Sequence, residues 1–261
     1  MNVAVLGCGP AGLIAAWAAE QAGADVQIYS KKVQSIIPGS QYLHGPIPGV
    51  SSPYAEGVVQ YIRLGTAEQY ALKVYGDIRE TGWDNYYAVY KSWNVRKAYH
   101  KLWDYFETKI IDLEIDGLIL SVLLGEADKV ISTIPQPALC QDDDHDFKGA
   151  EYYLRHLPTP PADENHDICV YNGLPDDPWY RWSILGGTCS IEYTKPPSLN
   201  EENGWRGEGW ITGIKCTTND CDCYDHEKFM RVGRWAKWQH GVLLHDIYHE
   251  VYESVTEGAT I

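Results

Sequence analysis

Asn2-Val3-Ala4-Val5-Leu6-Gly7-Cys8-Gly9-Pro10-Ala11-Gly12 opens the chain and decides how the rest is read. Val3 to Leu6 is a short apolar run with the pattern of a parallel strand buried on both faces. Ala11 to Ala22 is apolar almost all round, so it reads as a helix packed hard on a sheet, and Gly23 ends it. Between them lies G-x-G-x-x-G, in the strand-to-helix context that gives this spacing a mechanism. Gly7 permits the tight turn, Gly9 lets the backbone approach a pyrophosphate, and Gly12 lets helix and strand pack closely. The helix N-terminus, where Pro10 and Ala11 stand, offers free N–H groups and a partial positive charge to the phosphates. The alternative is a glycine-rich turn with no ligand.

Working outward, Asp25-Val26-Gln27-Ile28-Tyr29 reads as the second strand. A carboxylate at its end would accept hydrogen bonds from the adenosine ribose. Here the chain has Tyr29-Ser30-Lys31-Lys32 instead. The Ser30 hydroxyl can serve the ribose, and Lys31 or Lys32 a phosphate, including a 2′-phosphate.

Composition bounds the classes. The chain has 261 residues, 44% hydrophobic and 22% charged, which is globular and not disordered. Its length allows one large domain or two interlocked ones. A net charge of −15 argues against a broadly basic, phosphate-tracking surface while leaving room for a local basic groove. No apolar run is long enough to span a membrane. The first strand begins directly after Met1, which predicts no leader and a cytoplasmic setting. Seven cysteines, an odd number, predict reduced thiols. Tyr 19 and Trp 10 against Phe 3 favour a half-wet pocket or an interface over a dry core.

Ile36 to Pro53 reads as a long Gly-, Pro- and Ser-rich loop, of the kind that is usually functional or mobile. Val95, Tyr99, Leu102 and Phe106 lie at helical spacing within Trp93 to Phe106. Ile110 to Ile115 reads as a strand and Leu118 to Leu124 as a short buried helix. Asp128 to Pro135 reads as a third buried strand with a proline stop. Cys140 to Glu164 is an acidic, proline-rich crossing. Cys169 to Tyr193 alternates like strands, with a hairpin break at Gly186-Gly187. A last helix is predicted from Trp238 to Val255.

Three separated segments resemble one group of proteins. Pro-Ala between the second and third glycines resembles the FAD-binding version of the turn. Asp128-Lys129-Val130-Ile131-Ser132-Thr133-Ile134-Pro135 resembles the strand of FAD proteins whose end passes the cofactor, which implies a contact from Thr133. Gly233-Arg234-Trp235, followed by Trp238 and Gly241-Val242-Leu243, resembles the second flavin contact of amine oxidases and UDP-galactopyranose mutases. The resemblance implies Gly233 and Arg234 at the pyrophosphate, and Gly241 and Val242 beside the isoalloxazine at the start of a helix. Gln41-Tyr42-Leu43-His44-Gly45-Pro46-Ile47-Pro48-Gly49 and the compact length also resemble small FAD-dependent proteins of tailed phages. Some of those are linked to thymidine hypermodification. The implied fold is α/β: a Rossmann-like FAD-binding domain with a parallel sheet (1–36, 92–140 and 225–261) and a small discontinuous α+β substrate region (37–91 and 141–224).

Chemistry is expected in two places. Gln41, Tyr42 and His44 offer an amide that can meet the cofactor, a phenol and an imidazole that titrates near neutrality and can take an amine proton; alternatively Tyr42 and His44 hold the loop down. Arg181 within Trp179-Tyr180-Arg181-Trp182 can clamp a carboxylate or phosphate, with strand alternation sending Tyr180 and Trp182 to the opposite face; alternatively it is an exposed strand arginine. Cys216, Cys221, Cys223 and His226 offer four zinc ligands without the usual C-x2-C pair, so packing thiols are the default. Lys91 to Lys101 and Lys228, Arg231, Arg234 and Lys237 could form a local DNA groove, or simply solvated helix faces. The leading expectation is an FAD-dependent oxidoreductase acting on a C–N bond of an amine, an amino acid or an amino-acid-modified thymine in phage DNA. A redox-neutral flavin enzyme resembling UDP-galactopyranose mutase, with two arginines on a sugar diphosphate, is the second. A flavin-free binding protein resembling GDP dissociation inhibitors is the third.

Overall fold

A computed structural model describes residues 1–35, 37–39, 41–78, 86–158, 167–196, 210–224 and 226–258. Asp225, Ile36 and the Glu164 end of the acidic crossing lie outside these residues. In chain order the elements are β1 (Asn2–Leu6), α1 (Pro10–Gln21), β2 (Asp25–Ser30), β3 (Gly57–Leu64), α2 (Ala67–Tyr75), β4 (Tyr87–Ser92), α3 (Val95–Phe106), β5 (Ile110–Asp112), α4 (Gly117–Glu126), β6 (Lys129–Ser132) and α5 (Gln136–Leu139). They continue with β7 (Phe147–Leu157), β8 (Asp167–Asn172), β9 (Trp179–Leu185), β10 (Thr188–Tyr193), β11 (Trp210–Asn219), β12 (Phe229–Arg231), α6 (Arg234–Lys237) and α7 (Asp246–Gly258).

Two sheets result. The first runs β12-β6-β1-β2-β5, and every neighbouring pair is parallel. Its central strands are buried on both faces, as the apolar run from Val3 to Leu6 requires. One face is covered by α1, α3 and α7, which close the main core around Leu13, Ile28, Phe106 and Val251. On the other face α4 packs through Leu120 and Leu123. The short buried helix predicted there forms but is buried on one side only, because Leu118 and Val122 on its outer side are exposed. The second sheet runs β11-β7-β10-β9-β8-β3-β4, with only β3 and β8 parallel. The Gly186-Gly187 break is indeed a hairpin, both residues taking positive φ between β9 and β10.

Caps set the helix starts. Thr66 and Gln69 form a reciprocal capping box on α2, and Gly76 closes that helix in the left-handed region. Asn94 caps α3 and Asp116 caps α4 by accepting N–H bonds from Lys97 and Ile119. The strand predicted from Ile110 to Ile115 is shorter than expected, pairing with β2 only as far as Asp112. The predicted C-terminal helix is also corrected. Trp238 takes φ +46° and Gly241 φ +84°, so the chain turns left-handed twice before α7 begins. Trp238 is held there by its indole N–H, which donates to the Lys148 carbonyl oxygen at 2.8 Å, tying the segment to the second sheet.

Candidate functional site

The corner between β1 and α1 is built to be crowded on one side and open on the other. Gly7 takes φ +104°, and a Cβ there would stand 2.5 Å from Thr133 Oγ1. That hydroxyl is occupied, donating to the Leu6 carbonyl at 2.8 Å, so Thr133 locks the turn from behind. A Cβ on Gly12 would lie 1.9 Å from the Gly7 carbonyl oxygen, a contact only glycine allows. Gly9 differs. It has φ −69°, and the nearest atom to an added Cβ is Ser35 Oγ at 3.5 Å, an ordinary contact. Pro10 occupies the start of α1, and no side chain of the described residues caps that N-terminus. Tyr99 braces the turn by donating to the Cys8 carbonyl and accepting from the Ser35 N–H.

The distant motif arrives at this same corner. Gly233 has φ +83°, and a Cβ there would meet Ala11 Cβ at 3.2 Å and Ile247 Cδ1 at 3.3 Å. It is therefore wedged between the first turns of α1 and α7. Arg234 follows on α6, exposed, with a guanidinium N–H 3.4 Å from the Val242 carbonyl oxygen. Gly241 and Val242 lie in the loop before α7 and not on a helix, because of the two left-handed residues. At the end of that loop, His245 Nδ1 is buried with no partner among the described residues.

At the far end of β2, Ser30 Oγ donates to the Lys31 carbonyl, and Lys31 Nζ lies 2.6 Å from Glu114 in an exposed pair. Such a pair is worth little and can open for a phosphate. A carboxylate does stand at this sheet end, but β5 supplies it: Asp112 pairs with Ser30 across the ladder and accepts the Lys32 N–H. Gln41 is spent locally, donating to the Pro38 carbonyl.

The loop after β2 is pinned by Leu43 and Ile47, both fully buried, and by two backbone bonds between Leu43 and Trp93. Tyr42 adds a tie to the second sheet through the Tyr61 hydroxyl. The His44 ring stacks between Tyr42 and His245, at centroid distances of 4.5 and 6.1 Å. Burial holds its imidazole below the ordinary histidine value; His245 and Arg234 push the same way, against the Asp246 carboxylate. His44 is therefore neutral at pH 7, able to accept a proton. The Tyr42 hydroxyl meets that of Tyr61, and burial keeps both phenols protonated. Edge-to-face contacts continue from Tyr61 through Tyr171 and Tyr70 to Tyr180. This cluster gives part of the tyrosine excess its place, as buried rings packed within the second sheet's own core.

Arg181 is a correction. It does not offer a free fork, because its guanidinium is bound to Glu192, which is 1% exposed. Tyr180 was expected on the opposite face, yet its hydroxyl donates to the other oxygen of Glu192. The reason is a β-bulge: Glu192 pairs with Arg181 but Tyr193 pairs with Trp179, so Tyr180 is the extra residue and alternation fails there.

Lys215, on β11, is the functional candidate that sequence reasoning missed. Its ammonium lies 3.8 Å from Glu192 and 4.1 Å above the Tyr180 ring. Arg181 already balances the one carboxylate, so Lys215 is the surplus cation in a closed site. Burial pulls its pKa down to about 7; Glu192 opposes this, while Arg181 and Arg234 add to it. Arg234 thus acts on both His44 and Lys215, linking the glycine corner to the second sheet. A lysine among inward-facing strand positions was the only available signal.

Most of the basic residues weighed for a DNA groove are engaged elsewhere, while Lys91 is exposed on β4. Arg96 donates to the Ile37 and Gly39 carbonyls, Lys97 pairs with Glu56 and Lys101 donates to Gly49 and Val50. Lys228, Arg231 and Lys237 likewise meet Ala127, Cys223 and Glu250. The four residues weighed as alternative zinc ligands are not brought together. Cys221 and Cys223 instead meet Cys140 and His145, while Cys216 is buried in β11 and His226 Nδ1 accepts the Lys228 N–H.

No protein-family model and no curated protein matches this chain. Solved structures do. A flavin-dependent brominase is 8% identical with a TM-score of 0.57, over 100% of this chain and 80% of its own. The 2,6-dihydroxypyridine-3-hydroxylase of Arthrobacter nicotinovorans is 14% identical with a TM-score of 0.52, over 98% and 84%. CtdE, solved with FAD and a substrate, is 12% identical with a TM-score of 0.50, over 100% and 79%. At these identities the likeness is one of fold. The parallel sheet with its second mixed sheet is the architecture of FAD-binding flavoproteins.

Proposed function

We propose that this chain is an FAD-dependent oxidoreductase whose substrate lies between the glycine corner and the tyrosine cluster of the second sheet. One observation carries the reading: Gly233 packs against Ala11, so the N-terminal and C-terminal motifs share a single corner with an uncapped helix N-terminus. The donor set fits a dinucleotide. The first-turn amides of α1 and the Arg234 guanidinium would hold the pyrophosphate, Ser30 and Asp112 the ribose, and the unpartnered His245 Nδ1 a polar edge of the ring system. FAD, when bound, supplies two-electron redox chemistry.

The protein's part is binding, orientation and proton transfer. His44 and Lys215 are both held toward neutrality, so either offers a free nitrogen lone pair to a substrate N–H. The buried tyrosine cluster stiffens the second sheet behind the substrate. These features suit oxidation of a C–N bond in an amine or amino-acid-type substrate, and an amino-acid-modified thymine is the nucleobase version of it. Oxygenation of a ring substrate is the second reading, favoured by a hydroxylase and a brominase among the fold neighbours. The sugar-diphosphate reading loses its clamp, since Arg181 is committed to Glu192.

The test is spectroscopic. The purified full chain is expected to be yellow, to release FAD on denaturation, and to bleach anaerobically with an amine, an amino acid or an aminoacylated thymidine. Bleaching only by a nicotinamide reductant, with ring-stimulated oxygen uptake, would select the second reading. Colourless protein that fails to quench added FAD would overturn both.

A further inference from the structure

Outside the cleft, four metal-ligating atoms converge where the chain passes between the two sheets. Cys140 ends α5 and His145 lies in the loop leading to β7. Cys221 and Cys223 lie in the return from β11 to β12. The ligand atoms of all four fall within 4.8 Å of one another. Cys140 Sγ is 3.6 Å from Cys221 Sγ and 3.9 Å from Cys223 Sγ. His145 Nδ1 is 3.3 Å from Cys140 Sγ and 3.5 Å from Cys223 Sγ.

These separations have a specific meaning. A disulfide needs sulfurs about 2.05 Å apart, so none of these pairs is bonded. Tetrahedral zinc, with Zn–S near 2.3 Å and Zn–N near 2.05 Å, places ligand sulfurs about 3.8 Å apart and sulfur and nitrogen about 3.6 Å apart. Four of the six pairs stand close to those spacings, and the other two lie within 4.8 Å.

The surroundings are equally organised. With Nδ1 turned to the sulfurs, His145 Nε2 lies 3.5 Å from an Asp222 carboxylate oxygen and 3.9 Å from one of Asp142, the carboxylate–histidine arrangement that orients a metal-bound imidazole. The Gln141 N–H is directed at Cys223 sulfur. Asp146 N–H donates to Asp220 across the two loops at 2.8 Å, and Gln136 donates to the Cys221 carbonyl at 3.0 Å.

We propose that Cys140, His145, Cys221 and Cys223 bind one zinc ion in a closed structural site. Three sulfurs and one imidazole select zinc over the oxygen-seeking magnesium and calcium, and four protein ligands leave no open position for catalysis. On binding, the three thiols release their protons to solvent and bind as thiolates. The ion clips together the two chain crossings between the sheets. Those crossings lead from β6 toward β7 and from β11, which carries Lys215, toward Gly233 and Arg234. The site therefore ties the approach to β7 to the return from β11, and it does so independently of any flavin.

The experiment uses the full chain purified under reducing conditions. Elemental analysis after desalting is expected to find about one zinc per chain. Cobalt titrated into the chelator-treated protein is expected to give a thiolate charge-transfer band and intense tetrahedral d–d bands. Cys221→Ser and His145→Ala should lose zinc while His226→Ala retains it, which separates this set from the neighbouring histidine. The cobalt spectrum of the unsubstituted chain stands even if a variant fails to fold. Zinc far below stoichiometry with no cobalt–thiolate band would overturn the proposal. So would iron in its place, or a mass spectrum joining Cys140 to Cys221 in the fresh protein.

Discussion

Lys215 concentrates the electrostatic tension of the cleft, because one buried carboxylate faces two cations and can balance only Arg181. Unfolded, Lys215 keeps its proton up to the ordinary value of 10.5; folded, it loses it at about 7. Between those values the unfolded chain binds more protons, so this residue makes stability rise with pH across that window. Lys215→Met is expected to flatten that rise in denaturant midpoints measured from pH 6.5 to 9.5. If Lys215 is the base, kcat/KM should climb through pH 7 and the variant should lose that limb. Glu192→Gln leaves Arg181 buried without its counter-charge and should cost about 3–5 kcal/mol by urea unfolding. The two glycines of the turn separate binding from folding. Gly9→Ala has space and an ordinary φ, so the thermal midpoint should hold while FAD affinity falls about tenfold or more, roughly 1.4 kcal/mol. Gly12→Ala drives a Cβ into the Gly7 carbonyl and should impair both.

Elements place these residues by departing from regularity at a few positions. The bulge at Tyr180 turns two neighbours of β9 onto one carboxylate, which no strictly alternating strand can do. The left-handed residues Trp238 and Gly241 stop α6 and delay α7, so the Val242 carbonyl can meet Arg234 and His245 can reach His44. Helix α3 has a conventional start, and there an ordinary magnitude applies. Asn94→Ala removes the bond to the Lys97 N–H and is expected to cost about 1 kcal/mol in a chemical-denaturation curve, with flavin content unchanged.

At the scale of the molecule, three separated stretches build the first sheet and the chain crosses between sheets repeatedly, so the cleft is only as rigid as its crossings. Chelation of zinc under reducing conditions is expected to lower the thermal midpoint and to speed hydrogen exchange in residues 140–146 and 219–224, with α1 little affected. No helix among the described residues is long and apolar enough to cross a membrane. Much of the first sheet was legible, because parallel strands buried on both faces read as apolar runs and the glycine turn is a local signal. The glycine corner was legible for a similar reason: a backbone contact demands Gly12, and positive φ beside a neighbouring side chain favours glycine at 7 and 233. The charged group of the second sheet was not. Arg181, Glu192 and Lys215 come from three strands, and the zinc ligands from two crossings far apart in sequence, so no local spacing announces either group. The amino-acid sequence alone therefore determined the glycine corner between β1 and α1, through steric demands written within a few residues. Only the tertiary structure decided which charges balance one another and which sulfurs meet, because Coulomb energy and metal geometry depend on distances in space that chain order does not contain.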